Sequence, residues 1–361
     1  MLLPDWWTKR NRGQTKTRMG DDRLWPVRPR PLADELLSTW IVRLAKRNGQ
    51  KVQAFCDCEF GNQRQLWNRD IDRLAPEWLL SDLSTHTAVP LERVKETTLA
   101  NYEGRLFRKM HLSGQLRWIL PLLLYHRKRL GNGMQFCPQC LASDKDPYFR
   151  RRWRVALYTF CPVHECMLYD CCQNCSSPIA FHRGELGRPT VLDSGLLCSC
   201  WDCGFDLRST ELVQVQVLDP GSFVLFRALV KGLEEAPAGS LFEIDSMDLL
   251  HQFCKLLVSA CPHVRLLDFA VGRVGCSAQA ISKGRSPFEE RSVEERHFIL
   301  QLAIWLMADL ENRIRDAWEC GAIRYNNLLK DLQSPPQKYA TIVARFNRRI
   351  IDSRAKAASL S

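Results

Sequence analysis

The chain predicts a mainly α protein with three parts: an N-terminal helix-turn-helix-like domain, a tandem zinc-finger middle of the ribbon or knuckle kind, and a C-terminal helical domain. Three observations carry this. Apolar residues recur at helical spacing on both flanks. Ten of the sixteen cysteines fall in the 67 residues from Cys137 to Cys203. Glycine and proline punctuation cuts the remainder into short pieces. With 361 residues there is room for two or three cores. The expected division is a basic flexible tail at 1–22, a helical domain at 23–130, a zinc-binding domain at 131–209 and a helical domain at 210–361.

Composition narrows the class. The chain is 45% hydrophobic and 25% charged, with net charge +11. That excess of bases favours nucleic acid as a partner. Residues 1–30 hold eight bases against three acids, and residues 338–361 hold six against one; such ends grip phosphates or merely solubilise. The longest apolar runs, Trp118–Tyr125 and Phe298–Ala308, do not suffice to span a bilayer. Met1–Pro4 runs straight into Asp5, Trp6, Trp7 and bases, which does not read as a signal peptide. A cytoplasmic protein is expected, and in a reducing compartment its cysteines favour metal over disulfides.

The elements follow in order. Three prolines between Trp25 and Pro31 predict an extended segment. Asp34 then reads as the N-cap of a helix carrying Leu36, Leu37, Trp40, Ile41, Leu44 and Ala45, stopped at Asn48-Gly49. On this reading a helix start accounts for the adjacent carboxylates Asp34 and Glu35. Lys51–Phe60 is a second helix ending at Gly61. Trp78–Thr87 and Leu91–Leu99 are a helical pair broken at Val89-Pro90, which is how helix-turn-helix domains are built. Leu112–Leu130 reads as one or two helices around Pro121, with Trp118, Leu122, Leu123 and Tyr125 in its core. The bases His126–Arg129 sit at its C-terminal end, where the helix dipole favours them.

Tyr148–Phe160 reads as a helix with Phe149, Trp153, Ala156, Leu157 and Phe160 on one face. Arg150, Arg151, Arg152 and Arg154 occupy the rest of its surface. They are candidate phosphate contacts, or else a solvated face. Beyond Thr210, Ser222–Leu233 and Ser246–Ala260 are helical, with a loop at Pro237–Ser240 between them. Gly272–Ser286 is small and polar, a turn or a short helix with loops. Ser292-Val-Glu-Glu295 fits a capping box and starts the longest helix, running to about Cys320 and stopping at Gly321. Tyr325–Leu332 and Gln337–Ile351 follow, divided by Ser334-Pro335-Pro336.

The chemistry is concentrated in the middle. Cys137-Pro-Gln-Cys140, Cys161-Pro-Val-His164, Cys172-Gln-Asn-Cys175 and Cys200-Trp-Asp-Cys203 each hold two ligand-type residues with two between them. Such a turn curls around a metal and places two donors on one side of it, so two turns complete a tetrahedral zinc site. Sequential pairing gives a Cys₃His site from Cys137, Cys140, Cys161 and His164, and a Cys₄ site from Cys172, Cys175, Cys200 and Cys203. A cross-braced pairing uses the same ligands. Two structural zinc ions per chain are expected, because all corners are filled by protein and none is left for water.

Spacing favours Cys172 and Cys200 over their neighbours Cys171 and Cys198, and leaves Cys166 free. Cys254, Cys261, His263 and Cys276, like Cys56 and Cys58, match no knuckle and read as core residues. Neither a phosphate-binding glycine loop nor a nucleophile triad nor a spaced carboxylate set stands out. No enzymatic activity is expected.

Several phrases in this order resemble the TniQ family of bacterial transposon target-selection proteins, which includes the larger TnsD proteins. They are Pro31-Leu-Ala-Asp-Glu-Leu-Leu-Ser-Thr-Trp40 with Arg43-Leu-Ala, Phe136-Cys-Pro-Gln-Cys-Leu141, Pro147-Tyr-Phe-Arg-Arg-Arg-Trp-Arg154, Cys161-Pro-Val-His164 and Cys172-Gln-Asn-Cys175. The resemblance covers about residues 23–205. It implies a target-selection adaptor that links DNA, or an RNA-guided CRISPR effector complex already on it, to a TnsC-type AAA+ ATPase that recruits the transposase. It also implies a bacterial, nucleoid-associated protein that can act as a homodimer. The region after 210 matches less clearly. The alternative is a zinc-containing helix-turn-helix transcriptional regulator; a zinc enzyme is disfavoured by the closed ligand counts.

Overall fold

A computed structural model describes residues 24–61, 66–111, 113–125, 128–184, 197–235, 244–277, 286–330 and 335–346, with 281 and 332 singly. Within them are thirteen α-helices, several short 3₁₀ turns and one two-residue hairpin. One apolar core runs without a break from Trp25 to Phe346.

The first helix, α1 (Leu37–Arg47), is buried from Leu37 through Ala45. Asp34 does not cap it. Leu36 holds that position with no side-chain bond, and Asp34 sits outside in the left-handed region with φ 57°. Tertiary partners satisfy the unpaired N–H groups at the helix start instead: Leu37 donates to the Thr97 carbonyl at 2.9 Å and Ser38 to Asp72 Oδ1 at 2.8 Å. The stop is as expected, with Asn48 at the C-cap and Gly49 at φ 67°. Asn48 also exchanges two hydrogen bonds with the backbone of Val27, which fixes the proline-rich segment against α1. Then come α2 (Val52–Phe60), closed by Gly61, and α3 (Ile71–Leu74). The pair α4 (Glu77–Thr87) and α5 (Leu91–Lys95) pack together, joined through Ala88 at φ 57° and Val89-Pro90.

The expected helix over Leu112–Leu130 is absent among the described residues. The segment is irregular, with Trp118 and Leu123 at φ 65° and 44°, and it ends in the hairpin β1 (Leu124–Tyr125) with β2 (Lys128–Arg129). The reason is burial. Leu116, Trp118, Ile119, Leu120 and Leu122 are all inside, and at helical spacing these five would not share one face; Leu123, expected in the core, is exposed. Its backbone instead pairs with a neighbour: Leu120 donates to the Arg154 carbonyl at 2.9 Å, and Ala156 donates to that of Trp118 at 2.7 Å. The dipole argument for the bases at 126–129 falls with the helix. Arg129 is buried and donates to the Ile179 carbonyl at 2.5 Å; residues 126 and 127 lie outside the described set.

That neighbour, Tyr148–Phe160, is not a helix either. Apart from one 3₁₀ turn at Arg151–Arg154, it is an extended or turning spine, with Phe149 and every residue from Trp153 to Phe160 buried. Leu36, Leu120, Gln135 and Leu168 all donate backbone hydrogen bonds to it at 2.9–3.1 Å.

On the C-terminal side, α6 (Pro138–Ser143) lies in the cysteine segment, and α7 (Pro220–Glu235) is capped by Asp219, which accepts from the Ser222 N–H and hydroxyl. Next are α8 (Ile244–Leu257) and α9 (Leu266–Val274), the latter ended by Gly275 at φ 74°. Ser292 caps α10 (Val293–Ala308) through the Glu295 N–H at 3.2 Å. The expected long helix is two: Asp309, at φ −137° and ψ 65°, separates α10 from α11 (Leu310–Glu319). Helix α10 is buried nearly all round and packs on α7, α8, α9 and α11. The last elements are α12 (Tyr325–Leu328) and α13 (Gln337–Ala344). The Pro237–Ser240 loop, the tail at 1–22 and the end of the last expected helix lie outside the described residues.

Helix α10 joins the spine through buried polar groups. Arg296 donates to the Ala156 carbonyl and to Gln135 Oε1, each at 2.9 Å. His297 contacts Thr159 Oγ1 through Nδ1 at 2.8 Å and the Gln216 carbonyl through Nε2 at 2.9 Å. The carbonyl can only accept, so Nε2 carries a proton. Burial pushes its pKa down to about 4. Between about 6.5 and 4 the unfolded chain binds a proton that the folded chain refuses, so stability falls as pH drops through that window, by up to about 3 kcal/mol. His297→Gln should therefore lose melting temperature less steeply than the parent between pH 6.5 and 4.5. Acid loss of metal acts on both proteins, so identical slopes would rule out His297 as a source of the pH dependence.

Candidate metal centres

Each knuckle is a backbone turn before it is a ligand pair. Cys137 is the N-cap of α6, with Pro138 at the first helical position, and its Sγ accepts from the Cys140 N–H at 3.4 Å. The other three share one pattern. Residues Glu165, Ser176 and Gly204, each one past its second ligand, donate to the first ligand's carbonyl at 2.8–3.0 Å. All three sit in the left-handed region, with φ of 50°, 58° and 77°. Only the last is glycine, so the turns at 165 and 176 carry a strain that the surrounding structure must hold.

These turns bring the eight expected ligands into two groups, Cys137, Cys140, Cys161 and His164, and Cys172, Cys175, Cys200 and Cys203, each able to hold a metal ion. The sequential pairing is the observed one. In the first group Cys140 Sγ is 3.7 Å from Cys161 Sγ, and His164 Nδ1 lies 3.5, 3.4 and 3.5 Å from Cys137, Cys140 and Cys161. In the second, Cys172–Cys203 and Cys175–Cys200 are both 3.7 Å. A tetrahedral ion with metal–sulfur bonds of about 2.3 Å and metal–nitrogen bonds of about 2.0 Å needs edges of about 3.8 and 3.5 Å. The donors fit such an ion at every measured edge. The groups differ in cover. The first is buried but for half-buried His164, whereas in the second Cys203 is exposed and Cys175 half-buried. Hydrogen bonds from Asn174 and from the Phe205 N–H bring Cys203 down to about 6, toward the thiolate that a metal requires.

The spare cysteines separate as spacing suggested. Cys171 and Cys198 stand outside both groups, and burial pushes Cys171 up to about 11. Cys254 is buried within α8, and among the described residues it forms no third group with Cys261, His263 and Cys276. Cys56 is a core thiol pushed up to about 12 by burial, but Cys58 is exposed, on the outer face of α2. Cys166 is not isolated: its Sγ lies 3.7 Å from that of Cys137.

The arginines overturn the expectation of an exposed basic helix. Arg150 pairs with Asp144 at 2.8 Å, Arg151 with Asp34 at 3.1 Å, and Arg152 with Asp34 at 2.7 Å and with Glu234. Arg154 is fully buried and bonds Asp70 at 2.6 Å and Asp72 at 3.3 Å. Burial alone would raise both carboxyls. At Asp70 the Arg154 guanidinium wins and holds the pKa below the usual range; at Asp72 burial, helped by the charge of Asp70, wins and holds it above. Apart from Asp144, the acids lie far from the arginines in sequence, at positions 34, 70, 72 and 234, and no periodicity could have paired them.

Fold and clusters together define a mainly helical protein with two knuckle pairs, each able to hold a metal ion. Residues 26–168 match the family model described as TniQ, which supports a place in that family. The match includes the first metal group and stops short of the second, which begins at Cys172. No curated protein matches the chain.

Cys200→Ser should lose one of two metal ions per chain and Cys198→Ser neither, as read by elemental analysis of purified protein. Equal loss in the two variants would mean that the wrong thiol has been assigned at this corner.

Proposed function

We propose that the protein is a target-site selection adaptor for DNA transposition. It links target DNA, or an RNA-guided CRISPR effector complex on that DNA, to a TnsC-type AAA+ ATPase that recruits the transposase. The observation that carries this reading is the TniQ domain over residues 26–168, which supports a transposition-associated role in target selection in general and contact with the transposition machinery. No helix among the described residues is long and apolar enough to cross a membrane. On this reading the protein works in the bacterial cytoplasm at the nucleoid, alone or as a homodimer.

The metal is zinc. Seven thiols and one imidazole at tetrahedral edges suit it, and a closed donor set makes it structural rather than a Lewis acid with an open corner. The reading is accordingly of a protein that binds and positions and catalyses nothing. With Arg150, Arg151, Arg152 and Arg154 committed to internal acids, the work of those four is to hold the fold. Phosphate contacts then fall to other bases of a chain whose net charge is +11.

Immobilised protein should retain the candidate ATPase in the presence of ATP, and its DNA affinity should fall steeply with salt through counterion release. Sequence-specific DNA binding with no ATPase retained would instead favour the second reading, a zinc-containing helix-turn-helix regulator reading DNA through the α4–α5 pair. ATPase retention with no DNA affinity would restrict the protein to bridging other proteins.

A further inference from the structure

The first metal group has a fifth donor beside it. Cys166 Sγ lies 3.7 Å from Cys137 Sγ, the same separation as between Cys140 and Cys161, which share the ion. Cys166 is 1% exposed. Its position is fixed by the knuckle itself, for Cys161 donates to the Cys166 carbonyl at 2.8 Å and Phe160 pairs with Met167. The outer side is held as well: Cys166 pairs with Gln214, and Met167 donates to the Val213 carbonyl at 2.9 Å. The thiol is therefore held at the edge of the donor set.

Its neighbour in sequence is the weak corner of that set. His164 is the only half-buried donor of the four. It stands on the tip of the turn between Val163, which is 69% exposed, and exposed Glu165 in its left-handed conformation. The most accessible ligand thus lies two residues from a buried thiol already in contact with the group.

We propose that Cys166 is a reserve ligand of the first zinc site, an inference that rests on reading that site as zinc-binding. With His164 in place, the Cys166 S–H donates to the Cys137 thiolate and shares its charge. Were the imidazole withdrawn, the Cys166 thiol would lose its proton to solvent and its sulfur would take the vacated corner, so that Cys137, Cys140, Cys161 and Cys166 would hold the ion as a Cys₄ set. Outer-shell partners of this kind change metal affinity by about ten- to a hundredfold, so the thiol matters even while it is not bound.

The test uses the full chain and reads metal directly. His164→Ala should keep two zinc ions per chain. After cobalt substitution its near-ultraviolet thiolate-to-metal absorption should rise, as eight thiolates replace seven. The double variant His164→Ala/Cys166→Ala should hold one ion. One ion in His164→Ala alone, or two in the double variant, would overturn the proposal, and fewer than two in the parent would overturn the zinc reading beneath it. Should the double variant fail to fold, Cys166→Ala alone decides. It should release its first-site zinc to a chromogenic chelator about tenfold faster than the parent, and an unchanged rate would sink the idea.

Discussion

Buried charge is the constraint around which this molecule is arranged. Arg154 is wholly inside, and a guanidinium there is tolerable only with partners in place. Asp70 and Asp72 supply them, and Asp72 in turn accepts from the N–H and hydroxyl of Ser38 at the start of α1. Just upstream, Arg151 and Arg152 reach Asp34, and Arg152 also reaches Glu234 at the end of α7. The four-residue stretch Arg151–Arg154 of the spine is thereby tied to the N-terminal helices and to the first helix of the C-terminal half. Removing one partner of such a buried pair costs about 3–5 kcal/mol, because the other is left charged and unsolvated.

The metal groups extend the same logic to where the spine ends. Phe160 leads directly into Cys161, and Phe136, which precedes Cys137, exchanges two backbone bonds with Tyr169. An ion at the first group would therefore fasten the strand leaving the spine to the strand beside it. An ion at the second group would likewise join the Cys172–Cys175 turn to the Cys200–Cys203 turn. The Pro-Gln and Pro-Val inserts of the first two knuckles fix φ where the turn begins. On the proposed zinc reading, each group would clamp irregular backbone that has few ladder bonds of its own.

How much of this could be read from the chain depended on whether the signal was local. The knuckles are local: two ligands three positions apart are visible in any register, and their sequential grouping followed from proximity. Helices α2, α4, α8 and the start of α10 were legible for the same reason, since one apolar stripe and one cap suffice to write them. The spine was not. Phe149, Trp153, Ala156, Leu157 and Phe160 do share a helical face, but Val155, Tyr158 and Arg154 are buried too, so there is no second face for water. Periodicity assumes a surface element, and this segment runs through the core. Asp34 misled in a related way. Its place before an apolar run resembles an N-cap, yet its carboxylate serves arginines more than a hundred residues away. Partners at that distance leave no pattern in sequence.

The TniQ match ends at Leu168, within the cysteine segment, yet the structure has no seam there. Arg296 and His297 of α10 enter the spine at Ala156 and Thr159, and the buried acid Glu289 accepts from the Trp118 N–H at 2.9 Å while contacting His251. Arg108 and Arg117, inside the matched region, pair with Asp248 of α8. The matched part thus borrows core contacts and charge partners from helices beyond it. An adaptor must present two partner surfaces in a fixed relation, and a shared core does this more rigidly than two domains on a linker. On the proposed adaptor reading, a change at Arg296 would then disturb surfaces on both sides of the spine at once, because that side chain joins the matched part to the helices beyond it.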